Sequence, residues 1–364
     1  MTAEPRQPSD LDPNMRPLDG SSEPLLWREA FAEPFRLSGF PWFGRDRVYR
    51  RLPLLPPGQI RDAVSSLADC TAGGQVSFQS DSRHLAVRVK LSGPATMNHM
   101  PATGQCGFDL YVGEPGKQRY HNTARYDIRE TSYEVELFEH PEPSMRTFTL
   151  NFPLYQGVKA VQIGLSLEAQ VLLPPARADE RPVIIYGTSI TQGGCASRPG
   201  LAYTNIVSRA LNREIINLGF SGNGCGDPEV LRLMAEIPDP GLWVLDYDAN
   251  AGSQDELRKS LPIALEVLRS ARTDVPILVV SRMVWARDYS HEESLRNREI
   301  RAEIQRAAVE SARMAGDMNV HFFDGGLLLG PDADECTVDG VHPNDIGFLQ
   351  IARALAPEFQ RLVL

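Results

Sequence analysis

The first half of the chain alternates hydrophobic and polar residues with the period of two that half-buried β-strands have. The runs are short, rich in β-branched and aromatic residues, and separated by Gly, Pro or Asn. Strands of this kind, with few segments of helical periodicity between them, predict a jelly-roll-like β-sandwich over residues 21–178. A helical turn is expected around residues 55–70. The predicted strands are Gln75–Gln79, His84–Leu91, Cys106–Val112, Thr131–Phe138, Met145–Phe152 and Val158–Leu165.

The second half has a different rhythm, in which short continuous apolar runs alternate with helical patterns. Arg258–Arg272 and Leu295–Met314 are the clearest helical segments, because their apolar residues recur every three or four positions. Such a βαβ rhythm indicates a parallel sheet covered on both faces. We therefore predict an α/β fold, a flavodoxin-like three-layer α/β/α domain with a five-stranded parallel sheet, over residues 179–364. Its predicted strands are Val183–Tyr186, Glu214–Leu218, Leu242–Tyr247, Ile277–Ser281 and Val320–Asp324.

Composition and charge exclude several classes of function. The 364 residues suffice for two domains, and the Pro-rich, charged segment Leu172–Arg181 is the natural boundary between them. The net charge is −10, of which residues 179–364 contribute −9 (27 acidic and 18 basic residues). This acidity argues against nucleic acid or an anionic membrane surface as a partner. No apolar run approaches the roughly 20 residues of a membrane-spanning helix.

The beginning of the chain and its cysteines bear on the cellular compartment. Met1–Asn14 is polar and lacks the basic and apolar regions of a signal peptide, so we expect a disordered start over residues 1–20 and a cytoplasmic protein. The five cysteines, none in a CxxC motif, are expected to be free thiols. They are Cys70, Cys106, Cys195, Cys225 and Cys336.

Ligands of open α/β sheets bind beyond the carboxyl ends of the strands, so those segments carry the candidate chemistry. After the first parallel strand, Ser189 is either a helix N-cap or a nucleophile aimed at the cleft. After the second, the small residues around Gly222 either expose backbone N–H groups to an anion or only form a tight turn. After the third, Asn250 either donates its side-chain N–H groups or caps the next helix.

The fifth strand is followed by Asp339 and His342, held between Gly and Pro. A general base needs a partner on its other ring nitrogen, which fixes one tautomer, and a carboxylate three residues away can be that partner. By contrast, Asp246 and Asp248 have no metal-ligand spacing with a histidine, and we predict no metal site.

Together these segments resemble the sequence blocks of the SGNH (GDSL-type) hydrolase family. GTSI resembles its nucleophile block, FSGN its Gly block, DANAG its Asn block and DGVHP its Asp–His block, in the family's order. One departure is Gly187-Thr188-Ser189, where the family usually has Gly-Asp-Ser. The first half is similar to the N-terminal β domain of one branch of the family, through GFDLY at residues 107–111 and RLP at residues 51–53.

The resemblance implies a role for each matching residue. Ser189 would be the nucleophile, His342 the general base and acid, and Asp339 the group that orients His342. The oxyanion hole would consist of the backbone N–H groups of Ser189 and Gly222 and the side chain of Asn250. No cofactor is implied, although an acyl-coenzyme A could serve as donor substrate.

Several other residues near the predicted cleft allow two interpretations, one as part of the site and one as part of the surrounding structure. Met283, Trp285 and Tyr289, in the loop after the fourth strand, could line a substrate pocket or pack on the domain. Arg198 could meet an anionic acyl donor or be solvated. Cys195 is expected to be a bystander, as is Cys225, and we interpret His99 and the other histidines apart from His342 as structural.

The expected chemistry is acyl transfer through an acyl-serine, and the acceptor decides the reaction. The chain resembles aryl-acyltransferases of tetracycline-type polyketide pathways, so we expect an O-acyltransferase that moves an arylacyl group from a thioester to a natural-product hydroxyl. One alternative is an esterase that deacylates a carbohydrate or small ester, and another is a non-catalytic binding module. The expected partners are a small-molecule acyl donor and a hydroxyl acceptor, while the acidic second half weighs against coenzyme A. The oligomeric state stays open.

Overall fold

In the computed structural model, which describes residues 8–363, two antiparallel sheets precede one parallel sheet along the chain. The antiparallel strands are β1 (Leu25–Glu29), β2 (Arg36–Ser38), β3 (Gln75–Ser80), β4 (His84–Leu91), β5 (Asp109–Val112), β6 (Arg119–Thr123), β7 (Ser132–Glu139), β8 (Arg146–Asn151), β9 (Val158–Ser166) and β10 (Val171–Leu172). One sheet has the order β1-β9-β4-β7, and the other β10-β3-β8-β5-β6, with β2 paired to β3.

The two antiparallel sheets enclose one hydrophobic core. Phe78 of β3 and Phe148 of β8 belong to the same buried cluster as Val87 of β4 and Ile163 of β9, which lie in the opposite sheet. Period-two alternation places these side chains on the inner face of each strand. Each predicted strand of the first half overlaps one of these strands, while a jelly-roll connectivity stays a prediction.

The pattern missed four strands, and all of them are short or lie at a sheet margin. β1, β6 and β10 are at sheet edges, and β2 pairs only with β3. In β6 the first three residues, Arg119–His121, are exposed, so no hydrophobic alternation marks it. Edge strands that are exposed and polar protect a sheet from further pairing, which is why they leave a weak sequence signal.

The second half contains a five-stranded, wholly parallel sheet, as predicted. Its strands are β11 (Val183–Gly187), β12 (Ile215–Gly219), β13 (Leu242–Asp246), β14 (Ile277–Val280) and β15 (Val320–Phe323). Their order is β12-β11-β13-β14-β15, which is the flavodoxin-like order. Every residue of β11 and β12 is buried, which explains why these strands read as continuous apolar runs.

Helices cover both faces of this sheet and connect its strands. The α-helices of the described residues are α1 (Pro8–Leu11), α2 (Phe43–Asp46), α3 (Asp62–Ala68), α4 (Ala102–Gln105), α5 (Ser189–Gln192), α6 (Tyr203–Leu211), α7 (Pro228–Glu236), α8 (Gln254–Ala271), α9 (Ala286–Ser290), α10 (Glu292–Met314) and α11 (Asp345–Val363). The 3-10 turns are Pro13–Met15, Pro199–Leu201, Asp248–Asn250, Gly325–Leu327 and Ala333–Glu335.

Alternate residues of the parallel strands point into two separate cores. Ile184 and Trp243 pack with α7, α8 and α10, whereas Val183 and Val244 pack with α6 and α11. Helix α3 joins the first of these cores through Val64 although it belongs to the first half of the chain. The expected helical turn around residues 55–70 therefore exists, and it covers part of the parallel sheet.

A buried carboxylate joins the two halves next to the predicted cleft. Asp109, in the GFDLY segment, is fully buried and accepts hydrogen bonds from Asn151 Nδ2 at 2.7 Å, Arg198 Nη1 at 2.9 Å and the Gly200 N–H at 2.8 Å. Arg198 also lies over the ring of Tyr120 at 3.8 Å. It is thus neither solvated nor free for an acyl donor, and the GFDLY segment fixes the loop that follows α5.

The N-terminal segment was expected to be disordered over residues 1–20. Residues 8–20 contain α1 and a 3-10 turn, and the Leu18 N–H donates to the carbonyl of Arg125 at 2.7 Å. Residues 1–7 of that prediction lie outside the described residues. Within residues 8–363, no helix combines the length and the apolarity needed to cross a bilayer.

Replacement of Asp109 tests the joint between the two halves. In D109A the Arg198 guanidinium, whose side chain is 17% exposed, loses its carboxylate partner. We expect the free energy of unfolding to fall by about 3–5 kcal/mol. In the matched control D127A the lost partner is Arg129, whose side chain is 84% exposed, and the cost should be about 0–1 kcal/mol. Urea unfolding measures both, and equal losses in the two variants would contradict this account.

Candidate active site

The loop after β11 leaves the hydroxyl of Ser189 free for chemistry. Thr188 is the N-cap of α5, and its hydroxyl accepts a hydrogen bond from the Ile190 N–H at 3.3 Å. Ser189 therefore does not have the capping role that the sequence left open. Its Oγ lies 3.0 Å from Nε2 of His342, within hydrogen-bonding distance.

Thr188 also accounts for the departure from the usual Gly-Asp-Ser. Asp and Thr are both favoured N-cap residues, because an oxygen of either side chain accepts from the first free N–H groups of a helix. The substitution therefore retains a capping oxygen next to the nucleophile position and leaves Ser189 unchanged.

A tight turn near the end of the connection between β15 and α11 carries Asp339 and His342. The His342 carbonyl accepts from the Val338 N–H at 2.8 Å, and Gly340 turns the chain with a φ of +87°, a conformation that disfavours other residues. Asp339 Oδ2 lies 2.7 Å from His342 Nδ1, while its Oδ1 accepts from the N–H groups of Val341 and His342. Burial opposes ionisation of Asp339, but these hydrogen bonds hold its pKa below the ordinary value.

The donors predicted for the oxyanion hole come from three adjacent strands. Ser189, Gly222 and Asn250 follow β11, β12 and β13, and β11 lies between the other two strands. Within residues 8–363, neither the N–H of Ser189 or Gly222 nor the Nδ2 of Asn250 donates to a protein acceptor. Gly222 has a φ of +66°, and the neighbouring Ser221 N–H donates to Gln192 Oε1 at 3.0 Å. Three donors at one edge of the sheet thus remain available to an oxyanion.

A buried ion pair holds the turn that carries Asn250. Asp248 accepts from Arg301 Nε at 2.7 Å, and Arg301 also donates to the backbone carbonyls of Asp248 and Gly252. Asn250 does not cap α8, because Ser253 does so in a reciprocal pair with Glu256. The pattern along the chain did not indicate Arg301, since an arginine in a polar helix usually points to solvent.

A second buried arginine supports the Gly block from the first half of the chain. Arg51 is fully buried and donates to the carbonyls of Asn217 and Gly219 at the end of β12, and to those of Leu67 and Cys70. Burial lowers the pKa of Arg51 to about 10, so the guanidinium stays charged at neutral pH. It is the first residue of the RLP segment, which thus connects the first half of the chain to the end of β12.

A carboxyl group with a raised pKa contacts the helix that begins at Ser189. Asp246 ends β13 and accepts from the hydroxyls of Thr191 and Tyr203, both at 2.9 Å. Burial raises the pKa of Asp246 to about 7, although both hydrogen bonds oppose that shift. Thr191 belongs to α5, so the contact connects this carboxyl group to the helix that begins at Ser189.

The residues predicted for a substrate pocket are not equivalent. Met283 is 2% exposed and belongs to a core cluster, so it does not line a pocket, and that part of the prediction is wrong. An apolar residue after a strand can face a cleft or the core, and Met283 packs with the core residues of α6 and α11. Trp285 is half-buried against the same cluster with Arg282 over its ring at 4.1 Å, and Tyr289 is 61% exposed. The Ala286 N–H donates to the Gly340 carbonyl, which places Trp285 one residue from a contact with the Asp339 loop.

Cys195, which we expected to be a bystander near the site, and His99, which we interpreted as structural, both lie beside His342. A ring nitrogen of His99, the Sγ of Cys195 and a ring nitrogen of His342 all lie within 4.8 Å of one another. The spacing along the chain could not show this, because His99 belongs to the first half. Burial and the charge of Asp339 raise the pKa of the Cys195 thiol to about 11, so it stays protonated at neutral pH and does not compete as a nucleophile.

Comparison with known families matches both halves of the chain. Residues 180–360 match the GDSL-like lipase/acylhydrolase family, and residues 25–171 match the GxDLY domain, the N-terminus of SGNH hydrolase-type esterases. The C-terminal domain belongs to the GDSL-like lipase/acylhydrolase family. The Ser189–His342–Asp339 arrangement thus lies in a GDSL-type domain with the fold of an esterase or acyltransferase.

Solved structures share this two-part architecture. A protein from Bacteroides ovatus described as a GDSL-like lipase is 27% identical, with a TM-score of 0.83 over 93% of this chain and 98% of that one. A salicylyl-acyltransferase from a tetracycline biosynthetic pathway is 18% identical, with a TM-score of 0.73 over 93% and 97%. A family two carbohydrate esterase from Clostridium thermocellum is 16% identical, with a TM-score of 0.56 over 80% and 92%. No protein of curated function matches the sequence.

Replacement of Asn250 tests its predicted place in the oxyanion hole. N250A removes one oxyanion donor and should lower kcat by about 10²–10³. Its stability should change little, because Asn250 Nδ2 has no acceptor in the described chain and Oδ1 is buried without a partner. Steady-state kinetics and thermal unfolding measure the two effects, with the exposed Asn319→Ala as control. An unchanged kcat in N250A would remove Asn250 from the oxyanion hole.

The raised pKa of Asp246 predicts how the stability of the protein depends on pH. Its pKa is about 7 in the folded protein against 3.8 ordinarily, so the folded state binds more protons between these values. Its contribution to the free energy of unfolding is therefore full below about pH 4 and declines as pH rises towards 7. D246N cannot ionise at this position. The free energy of unfolding of D246N minus that of the parent protein should therefore increase from pH 5 to pH 8. Chemical unfolding at both pH values measures this, and an equal difference at both would contradict the raised pKa.

Proposed function

We propose that the protein is a serine enzyme that acts on acyl esters or thioesters through an acyl-serine at Ser189. The observation that carries this proposal is the continuous contact from Asp339 to His342 Nδ1 at 2.7 Å and from His342 Nε2 to Ser189 Oγ at 3.0 Å. A serine hydroxyl is a weak nucleophile until a base removes its proton, and this arrangement places that base.

The reaction proceeds in two halves. Ser189 Oγ attacks the acyl carbon while His342 Nε2 takes the hydroxyl proton, and the new oxyanion accepts from Ser189 N–H, Gly222 N–H and Asn250 Nδ2. The intermediate collapses, the bond to the leaving alcohol or thiol breaks, and His342 returns the proton to that group. An acceptor O–H then attacks the acyl-serine with His342 again as base, and Ser189 is released with its proton.

Asp339 supports both halves of the reaction without changing its own charge. Its lowered pKa keeps it ionised at neutral pH, so it accepts from Nδ1 and directs the lone pair of Nε2 towards Ser189. It also stabilises the imidazolium that forms when His342 holds the proton.

Solvent access supports water as the acceptor. The side chain of Asp339 is 36% exposed and that of His342 is 24% exposed, so water reaches the base directly. Enzymes that protect an acyl intermediate from hydrolysis exclude water from the site. We therefore place an esterase acting on a carbohydrate ester or another small ester first, an assignment that the shared fold with carbohydrate esterases also supports.

The second candidate is an O-acyltransferase that moves an arylacyl group from a thioester to a hydroxyl of a polyketide-type natural product. The likeness in fold to a salicylyl-acyltransferase over 93% of the chain favours it. Against a coenzyme A donor stand the −9 charge of residues 179–364 and the engagement of Arg198 by Asp109. A smaller thioester would meet neither objection.

The acceptor can be assigned by product analysis. With an acetyl or aryl thioester, an esterase releases free acid whatever polyol or polyketide hydroxyl is present, whereas a transferase forms the ester of that hydroxyl. Mass spectrometry of the products distinguishes them. Ester in excess of free acid would overturn the esterase assignment and leave the acyl-serine proposal intact.

Replacement of Ser189 tests the acyl-serine itself. S189A should lose at least about 10³-fold in kcat, because no nucleophile remains, and should show no acylated peptide after acid quench. Ser144→Ala, the same substitution at an exposed site in the first half, should retain full activity. If S189A kept the parent turnover, the proposal would fail, and if both proteins were inactive on all esters and thioesters, a binding module would be the better interpretation.

A further inference from the structure

A group of three metal-binding side chains lies beside the proposed catalytic histidine. Within residues 8–363, His99, Cys195 and His342 each offer a ligand atom, and these atoms lie within 4.8 Å of one another. The rings of His99 and His342 are edge to face with their centroids 5.8 Å apart. His99 is exposed and Cys195 is buried, so the group opens to solvent on one side.

Three loops form this group, one from the first half of the chain and two, those of Cys195 and His342, from the second. His99 lies between β4 and α4, and Cys195 follows α5 in a backbone conformation with a φ of +80°, which is uncommon for any residue except Gly. The Thr103 hydroxyl donates to the Ser197 carbonyl at 2.6 Å and so fixes the loops of His99 and Cys195 to each other. The ligand atoms therefore lie together because of the interface between the two halves.

We propose that His99, Cys195 and His342 bind a divalent zinc-like cation and that this cation inhibits the enzyme. Two imidazoles and a thiolate are the donor types that zinc prefers, and a solvent molecule or Ser189 Oγ can complete a tetrahedral site. On binding, the Cys195 thiol loses its proton to the buffer. Zinc ligands lie about 2.0–2.3 Å from the ion, so the distances between the three ligand atoms must shorten by about 1 Å. The side chain of His99 is exposed and can make this movement.

The Asp339–His342 pair is already arranged as in many zinc sites. Zinc-binding histidines usually have a carboxylate on the second ring nitrogen, which fixes the tautomer and raises the basicity of the ligating nitrogen. Here Asp339 occupies Nδ1 at 2.7 Å and leaves Nε2 as the ligating atom. The features that suit His342 to accept a proton therefore also suit it to bind a metal.

The expected consequence is inhibition, and this part rests on the proposed function. The lone pair of His342 Nε2 can accept the Ser189 proton or bind the cation, but not both. Zinc should thus reduce turnover without unfolding the protein, and a chelator should restore it.

Binding can be measured without activity. We would titrate zinc chloride calorimetrically into the parent protein and into S189A, H99N and C195S, with H291N and C225S as matched controls at other sites. The parent protein, S189A and both controls should bind one equivalent, whereas H99N and C195S should bind at least about tenfold more weakly. Cobalt(II) should give a thiolate-to-metal charge-transfer band in the parent protein and none in C195S. If C195S does not fold, H99N, which changes an exposed side chain, carries the test.

Several results would overturn the site. These are no zinc binding by the parent protein, unchanged binding in both H99N and C195S, or an equal loss in H291N and C225S. Zinc binding without a loss of turnover would overturn the inhibitory role.

The controls for activity separate this proposal from the proposed function. H99N and C195S should retain turnover at a zinc concentration that inhibits the parent protein, because neither residue acts in the acyl-transfer steps. A zinc-free parent protein without any esterase or transferase activity would contradict the proposed function, whereas zinc binding by S189A would still test the metal site.

Discussion

A parallel sheet brings the carboxyl ends of its strands to one edge, and the whole candidate site depends on that constraint. β11 lies between β12 and β13, so the loops that carry Ser189, Gly222 and Asn250 are neighbours although they are far apart along the chain. The Asp339–His342 loop follows β15 and reaches the same edge, where the imidazole meets the Ser189 hydroxyl. The strand order thus brings the nucleophile and three N–H donors together, and the long connection between β15 and α11 carries the base to them.

Buried charges hold these loops in place. Arg301 fixes the Asn250 turn through Asp248, Arg51 fixes the end of β12 through backbone carbonyls, and Asp109 fixes the loop after α5 through Arg198. Each guanidinium is desolvated but has several acceptors, which is the condition under which a buried charge is tolerated. Two of these three contacts come from the first half, whose sheets therefore support the geometry of the site as well as forming their own core.

The sequence allowed the central elements to be predicted, and physical reasons explain what it did not reveal. The parallel strands were evident because they are buried on both faces and read as continuous apolar runs, whereas β6 was missed because its exposed edge position removes the alternation. Ser189, Asp339 and His342 were predicted as site residues because they lie in segments that follow strands of the parallel sheet, and the structure brings them within hydrogen-bonding distance of one another. Met283 was misassigned because apolarity alone does not distinguish a pocket wall from the core. The proximity of His99 to His342 is a tertiary contact with no trace in local sequence.

A crystal structure of the protein after reaction with a phosphonate ester, whose phosphorus forms a stable bond to an activated serine, is the most direct test of the assigned site. We expect the phosphorus on Ser189 Oγ, with the phosphonyl oxygen about 2.7–3.1 Å from the N–H groups of Ser189 and Gly222 and from Asn250 Nδ2. His342 should lie against the leaving-group side. A phosphonate bound to another residue, or a phosphonyl oxygen directed away from these three donors, would contradict the assignment of the site.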